Sequence, residues 1–298
     1  TGLTWFVPFV RLAAGEDPRE QVREILLQIG VPFLAFAIFL GIWSVLASGV
    51  QTSLGEIPGP AQVYEEAKGL VADHYAEREK EAAFYERQKK RVAEAVAEDP
   101  AADVTMRTWT GKRTYLDQIV TSLYTVFTGF AIGTVVAIPL GILCGLSRTF
   151  QIAINPLIQI FRPVSPLAWL PIVTIVISAI YTSQDPMFEK SFIVSAITVT
   201  LCSLWPTLIN TAVGVASIDK DLMNVSKVLR LSAWTKVTKI VLPSSLKLIF
   251  TGLRLALGVG WMVLIAAEML AQNPGLGKFV WDEFQNGSSH SLGRIMVA

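Results

Sequence analysis

The side chains with the most chemistry to offer lie where charge is expensive. Arg254 and Glu268 fall inside one apolar run, residues 246–270, and Arg162 stands at the start of another, residues 161–181. An arginine within a span is disfavoured by ~2.5 to 3.5 kcal/mol on insertion scales, so it normally faces a bundle interior or water. Its planar fork suits an oxyanion, and a fixed positive charge would lower the barrier to a desolvated anion. The alternative for Arg254 is a structural pairing with a carboxylate or a helix C-terminus. For Arg162 it is a snorkelling anchor at the interface. Fourteen residues separate Arg254 from Glu268, roughly 21 Å along a helix, so the two cannot pair. No Ser/His/Asp set and no paired carboxylates on one span face suggest catalysis. His74 and His290 lack the neighbouring Cys or carboxylate spacing of a metal site. Cys144 and Cys202 lie within apolar runs and read as small packing residues.

The elements that must position these groups read as membrane spans. Of 298 residues 52% are hydrophobic and 16% charged, with the charges gathered into a few segments, the pattern of a polytopic membrane protein. A net charge of +1 argues neither for nor against nucleic acid, and no basic-aromatic patch suggests it. The opening residues are too short and too broken by Pro, Gly and acids for a cleavable signal. The chain begins without Met, which leaves the native N-terminus open. Residues 25–47 form a first uncharged run long enough to cross a ~30 Å core, with bends expected at Gly30 and Pro32. Arg11, Arg19 and Arg23 precede it, so residues 1–24 are expected in the cytoplasm.

Residues 55–60 mark a boundary of turn residues. The insertion that follows, residues 61–116, reads as a solvated helix or helical hairpin to residue 99, then polar and irregular chain over 100–113. A thin apolar stripe runs through Tyr85, Val92 and Val96. If the first span runs outward, the insertion is extracytoplasmic, and ten Lys/Arg against eleven Asp/Glu give it no bias against export. The second span, 118–146, carries Gly129, Gly133, Gly141 and Gly145 at the spacing that lets helix backbones approach in lipid. A short return over 147–155 is expected. Prolines 163, 166 and 171 then rule out one regular helix over 161–181, and broken helices at membrane depth line cavities or lie buried in protein. A turn at Ser183 to Pro186 leads to the fourth span, 192–215, with a kink expected at Trp205-Pro206 and Asn210 placed as interhelical glue. The fifth is 246–270, and residues 291–298 begin a further apolar run.

Between the fourth and fifth spans lies a basic loop, residues 218–243, whose Lys220, Lys227, Arg230, Lys236 and Lys239 place it in the cytoplasm. Leu222, Val225 and Leu229, then Trp234, Val237 and Val241, recur at helical spacing, and Ser232 can cap the second of two short helices. Their apolar face is expected to meet either a cytoplasmic partner or the lipid surface.

The loop ends Ile240-Val241-Leu242-Pro243 and resembles the cytoplasmic E-A-A coupling loop of ABC importer permeases. Asn224, Val225 and Ser226 stand where the family has E-A-A, and Arg230 where it has Gly. Residues 167–171 (LAWLP), 252–255 (GLRL) and 266–270 (AAEML) are similar to the nitrate/sulfonate/bicarbonate branch. The resemblance spans residues 25–298 apart from the insertion. It implies an all-α, type I (MetI-like) transmembrane domain over 25–298, with six spans of which the last is truncated here, in a bacterial inner membrane. It implies a second copy of the chain, two cytoplasmic ATPases carrying ATP and Mg, and an extracytoplasmic solute-binding protein; this chain itself would bind no cofactor and catalyse nothing. The favoured solute is nitrate or nitrite, with bicarbonate, cyanate and sulfonates as alternatives. A stand-alone secondary transporter or channel is the other class, disfavoured because the spans hold no ladder of ionisable groups. ATPase coupling is expected from Asn224, Val225, Ser226, Arg230, Trp234, Val237, Ile240, Leu242 and Pro243. The candidates for the translocation path are Arg162, Trp169, Trp205, Asn210, Arg254, Trp261 and Glu268.

Overall fold

A computed structural model of the chain describes residues 6–15, 17–52, 55–98, 105–182 and 188–298. The expected turn at Ser183 to Pro186 and the start of the irregular stretch, 99–104, lie outside them, as does the side chain of Val96. The described residues are almost wholly helical, with one antiparallel pair, β1 (Gln51–Thr52) and β2 (Gly55–Glu56), at the boundary of turn residues. They divide into two compact units, one within residues 1–72 together with 283–298 and one over residues 73–282.

In the first unit α1 (Val7–Ala13) precedes α2 (Pro18–Ile25), which continues through a π-helical turn, Leu26–Gly30, into α3 (Val31–Gly49). The expected bend takes this form because Pro32 has no N–H for the carbonyl of Gln28 and its ring crowds that turn; widening the helix by one residue relieves both. The helix thus begins seven residues before the apolar run. None of its apolar window is buried within the chain, so its Phe33 and Val45 are left for lipid or another subunit to cover. Glu66 receives His290 at 2.6 Å and Arg294 at 3.3 Å from α13 (Ser289–Val297). Burial pushes its carboxyl up, but the hydrogen bonds and charges of His290 and Arg294 outweigh this and hold it below its ordinary 4.5.

The insertion is a single helix, α4 (Pro60–Glu98), 39 residues or about 58 Å long, and not a hairpin. From Asp73 onward it is tied to the segment leading into α5 (Tyr115–Leu146). His74 meets the Thr114 hydroxyl at 2.6 Å, Arg78 pairs with Asp117 at 2.9 Å, and the Phe84 ring lies 5.1 Å from Trp109. Thr114 and Asp117 form a reciprocal capping box, so α5 starts three residues before the expected second span.

The glycines of α5 do what their spacing implies. An added Cβ would fall 2.5 Å from the Ala196 carbonyl at Gly129, 2.6 Å from Thr211 at Gly141 and 2.5 Å from Val215 at Gly145, all on α8 (Lys190–Ala216). Thr200 donates to the Gly129 carbonyl at 3.0 Å across the same seam. The other side of α8 receives α11 (Leu242–Ala271), with Val126, Val199 and Leu264 as one shared core cluster.

Two expectations are corrected here. The short return over 147–155 is instead α6 (Arg148–Phe161), begun by the Ser147 side chain accepting from the Phe150 amide. And the proline-rich stretch contains a regular helix, α7 (Pro166–Ile180), because Pro166 sits at its first turn, where an N–H has no partner anyway, and Ser165 caps it. α6 and α7 meet at 97°. Four helices are long and apolar enough to span a membrane, and this bent pair counts as a fifth. Pro243 does not end the basic loop either: α10 (Ala233–Lys236) runs through a second π-turn, Val237–Val241, into α11 as one 39-residue helix. α12 (Leu276–Asn286) and α13 follow.

Candidate functional site

The break between α6 and α7 creates a pocket of about 260 Å³ that joins Arg162, Trp169 and Trp205, three residues far apart in sequence. Phe161 organises it: its ring stacks on Trp205 at 6.1 Å and 8°, and lies 5.8 Å from Trp169. Cys202 of α8 and Val259 of α11 complete the wall. Trp205 is eleven residues, about 16 Å, from the Ala216 end of α8, which puts the pocket near mid-span. Its indole Nε1 is sealed from solvent and has no hydrogen-bond partner among the described residues.

Arg162 also lines a larger cleft, about 880 Å³, between α6 and the cytoplasmic half of α8. Gln151, Asn155 and Gln159 supply its polar wall, and Leu208, Ile209 and Ala212 its apolar one. Sequence reasoning missed this amide stripe by assigning no helix there, although the four-residue spacing was available as a signal.

Four other path candidates lie elsewhere. Arg254 is exposed on α11, with no hydrogen bond or ion pair among the described residues and open space beside Gly258, one turn away. Trp261 packs into the core with Val126, Val199 and Leu264. Asn210 donates to the Pro206 carbonyl of its own helix at 2.8 Å, so it is not interhelical glue; a side chain short enough to fold back satisfies itself locally. Glu268 is buried and accepts from the Ser122 hydroxyl at 2.8 Å and the Gly277 amide at 2.9 Å. Ser122 in turn accepts from the Leu276 amide at 2.8 Å. A carboxylate held on the first amides of α12 offsets that helix's positive end, as such a terminus favours. Gly275, at φ 153°, lies against the carboxylate, and a Cβ there would collide with it.

The basic loop carries two faces and not the single apolar one expected. Outward stand Leu222, Val225, Val228 and Leu229 of α9 (Lys220–Val228) and its end, and Trp234 of α10, 77% exposed. Asn224, Arg230 and Pro243 are exposed as well, and Ile240 is half-buried. Inward, Val241 is fully buried with Ile142 and Val215, and Val237 and Leu242 pack on that cluster. Ser226, buried, donates to the Met223 carbonyl. The face divides because the π-turn rotates Val237 and Val241 toward α5 and α8. Ser232 caps α10 as expected, accepting from Thr235 at 3.2 Å. Arg230 closes α9 in the left-handed region at φ 48°, with Leu231 N–H donating to Ser226 and Arg230 N–H to Lys227. This is a Schellman close, which glycine fills without strain.

Apolar spans around a mid-depth pocket, with a basic cytoplasmic-type loop rigidly joined to one span, define a membrane transport subunit driven from outside itself. The chain belongs to the family of binding-protein-dependent transport system inner membrane components, whose profile matches residues 137–293. It is an all-α permease subunit of an ABC transporter, located in the inner membrane. It is 34% identical over 259 residues to a nitrate import permease of Leptolyngbya laminosa, covering 87% of this chain and 77% of that protein. A nitrate import permease of Synechocystis sp. is 32% identical over 267 residues (90% and 80%), and a bicarbonate transport system permease of Synechococcus elongatus 34% over 264 residues (88% and 80%).

Proposed function

We propose that this chain is the permease of an ATP-driven importer of a small inorganic anion, nitrate or nitrite first. Two copies would form the path, two cytoplasmic ATPases holding ATP and Mg would drive it, and an extracytoplasmic binding protein would deliver the solute. The observation that carries this reading is the outward apolar face of the loop, Val225 to Trp234, flanked by lysines and continuous with α11. Movement of a partner bound there passes into the membrane without a flexible joint. Residues 1–24 then face the cytoplasm, and the 61–116 insertion faces the binding protein. ATP closure shifts the population between inward- and outward-open pairs. Bicarbonate is the second reading, favoured by a relative of the same identity as the nitrate one; cyanate and sulfonates follow.

Reconstitution of the permease with its ATPases and binding protein in liposomes tests this. ATP-dependent nitrate uptake is the expected result. Uptake by the permease alone on a proton gradient would overturn it in favour of a secondary transporter. Mass spectrometry of the binding protein purified without added ligand separates nitrate from bicarbonate.

A further inference from the structure

We propose that the pocket at the 97° bend between α6 and α7 is the anion's resting site within the membrane, where Arg162 and the indole N–H of Trp205 together receive a planar trigonal oxyanion. The inference rests on the reading of the chain as an anion importer and adds where, and by which groups, the anion is held.

Four observations converge. The pocket holds one full charge, the guanidinium of Arg162, and no carboxylate lines it. A guanidinium presents parallel donors in one plane, the geometry that matches two oxygens of a trigonal anion. The N–H of Trp205 is shut off from solvent and unpaired, and buried donors are almost always satisfied; an anion oxygen supplies the missing acceptor. The α7 N-terminus opens at the same place, with its first free amide, Leu167, taken by Ser165, so its dipole contributes positive potential without fixing a register. The volume, about 260 Å³, accommodates a four-atom anion with several waters and falls below the range of drug-sized ligands. The aromatic rings of Phe161 and Trp169 keep the rest of the wall dry, which strengthens the charge interaction. The mid-span depth is that of a site exposed alternately to each side.

The test uses the reconstituted complex and separates this inference from the function it rests on. Trp205→Phe keeps the ring and removes the donor; Arg162→Lys keeps the charge and removes the fork; Arg162→Gln removes both. A hydrogen bond to a charged group supports a rise of about tenfold or more in the uptake KM for nitrate in Trp205→Phe and Arg162→Gln, with Arg162→Lys between them and wild type. Wild-type KM in Trp205→Phe and Arg162→Gln would overturn the site while leaving the importer intact. Failure of the wild type to import any oxyanion with ATP would instead remove the function. A second measurement does not depend on the stability of those variants. A cysteine at the pocket wall, Val259→Cys, is labelled with a maleimide in the purified complex and followed by peptide mass. Slowing by potassium nitrate or bicarbonate, and not by potassium chloride, supports the site; equal labelling in all three overturns it.

Discussion

The hydroxyl of Ser122 on α5 lies 2.8 Å from the carboxylate of Glu268 on α11 and accepts the Leu276 amide of α12, so one serine joins three helices. Removing either partner strands buried polar groups at a cost of about 1 to 3 kcal/mol each. Ser122→Ala and Glu268→Gln are both expected to lower the thermal midpoint of the detergent-purified chain, with Glu268→Ala the most harmful. If Glu268→Gln kept the wild-type midpoint and lost anion uptake, the carboxylate would belong to the translocation path.

Arg230 stands at φ 48°, a conformation that costs a non-glycine residue roughly 1 kcal/mol. Arg230→Gly should therefore stabilise the fold by a few tenths to 1 kcal/mol, and Arg230→Val, branched at Cβ, should destabilise it. Denaturation of the two variants side by side measures the difference. A destabilised glycine variant would mean that the guanidinium makes contacts worth more than the strain.

Trp234 and Val237, three residues apart, are expected to separate coupling from folding. Trp234→Glu places charge on the outward face and should abolish copurification with the ATPases while the subunit still inserts. Val237→Asp buries charge against Ile142 and Val241, so the yield of folded permease should collapse by several kcal/mol of lost stability. Normal ATPase binding by Trp234→Glu would leave the loop as a hairpin on the lipid surface.

Arg254 faces outward from α11 about 7 to 8 Å along the axis from Val259, toward the cytoplasmic end. If the anion passes this charge on leaving, uptake should fall in graded fashion, Arg254→Lys milder than Arg254→Gln. Loss of assembly in both variants would make this arginine a structural tie between subunits.

Glu66 anchors α13 through His290 and Arg294, and its carboxyl titrates below its ordinary 4.5. The sign follows from that direction: its contribution is fully present above 4.5 and is lost as pH falls through the lowered value in the fold. Hydrogen exchange in residues 289–297 should accelerate over that acid window in wild type, and Glu66→Gln should exchange faster at neutral pH with little further change. A variant indistinguishable from wild type at neutral pH would show that the anchor carries no stability.

What could be read in the residues themselves was whatever repeats along one helix. The apolar runs, the α5 glycines, the Ser232 cap and the charge of the basic loop are local patterns, and lipid permits few solutions for an apolar run. Residue order alone does not say which parts of a broken stretch meet. That Pro163 and Pro166 separate two regular helices at 97°, bringing Arg162 and Trp169 to Trp205 some forty residues on, follows from packing against α8. The same holds for the basic loop, where helical spacing put Trp234, Val237 and Val241 on one face. A π-turn before Pro243 adds a residue to the helical repeat, and packing on Ile142 and Val215 decides which side of that turn is buried. Glu268, legible in the sequence only as a costly charge at the end of a span, gains its meaning from the amides of Leu276 and Gly277, which only the chain's return at Gly275 places against it.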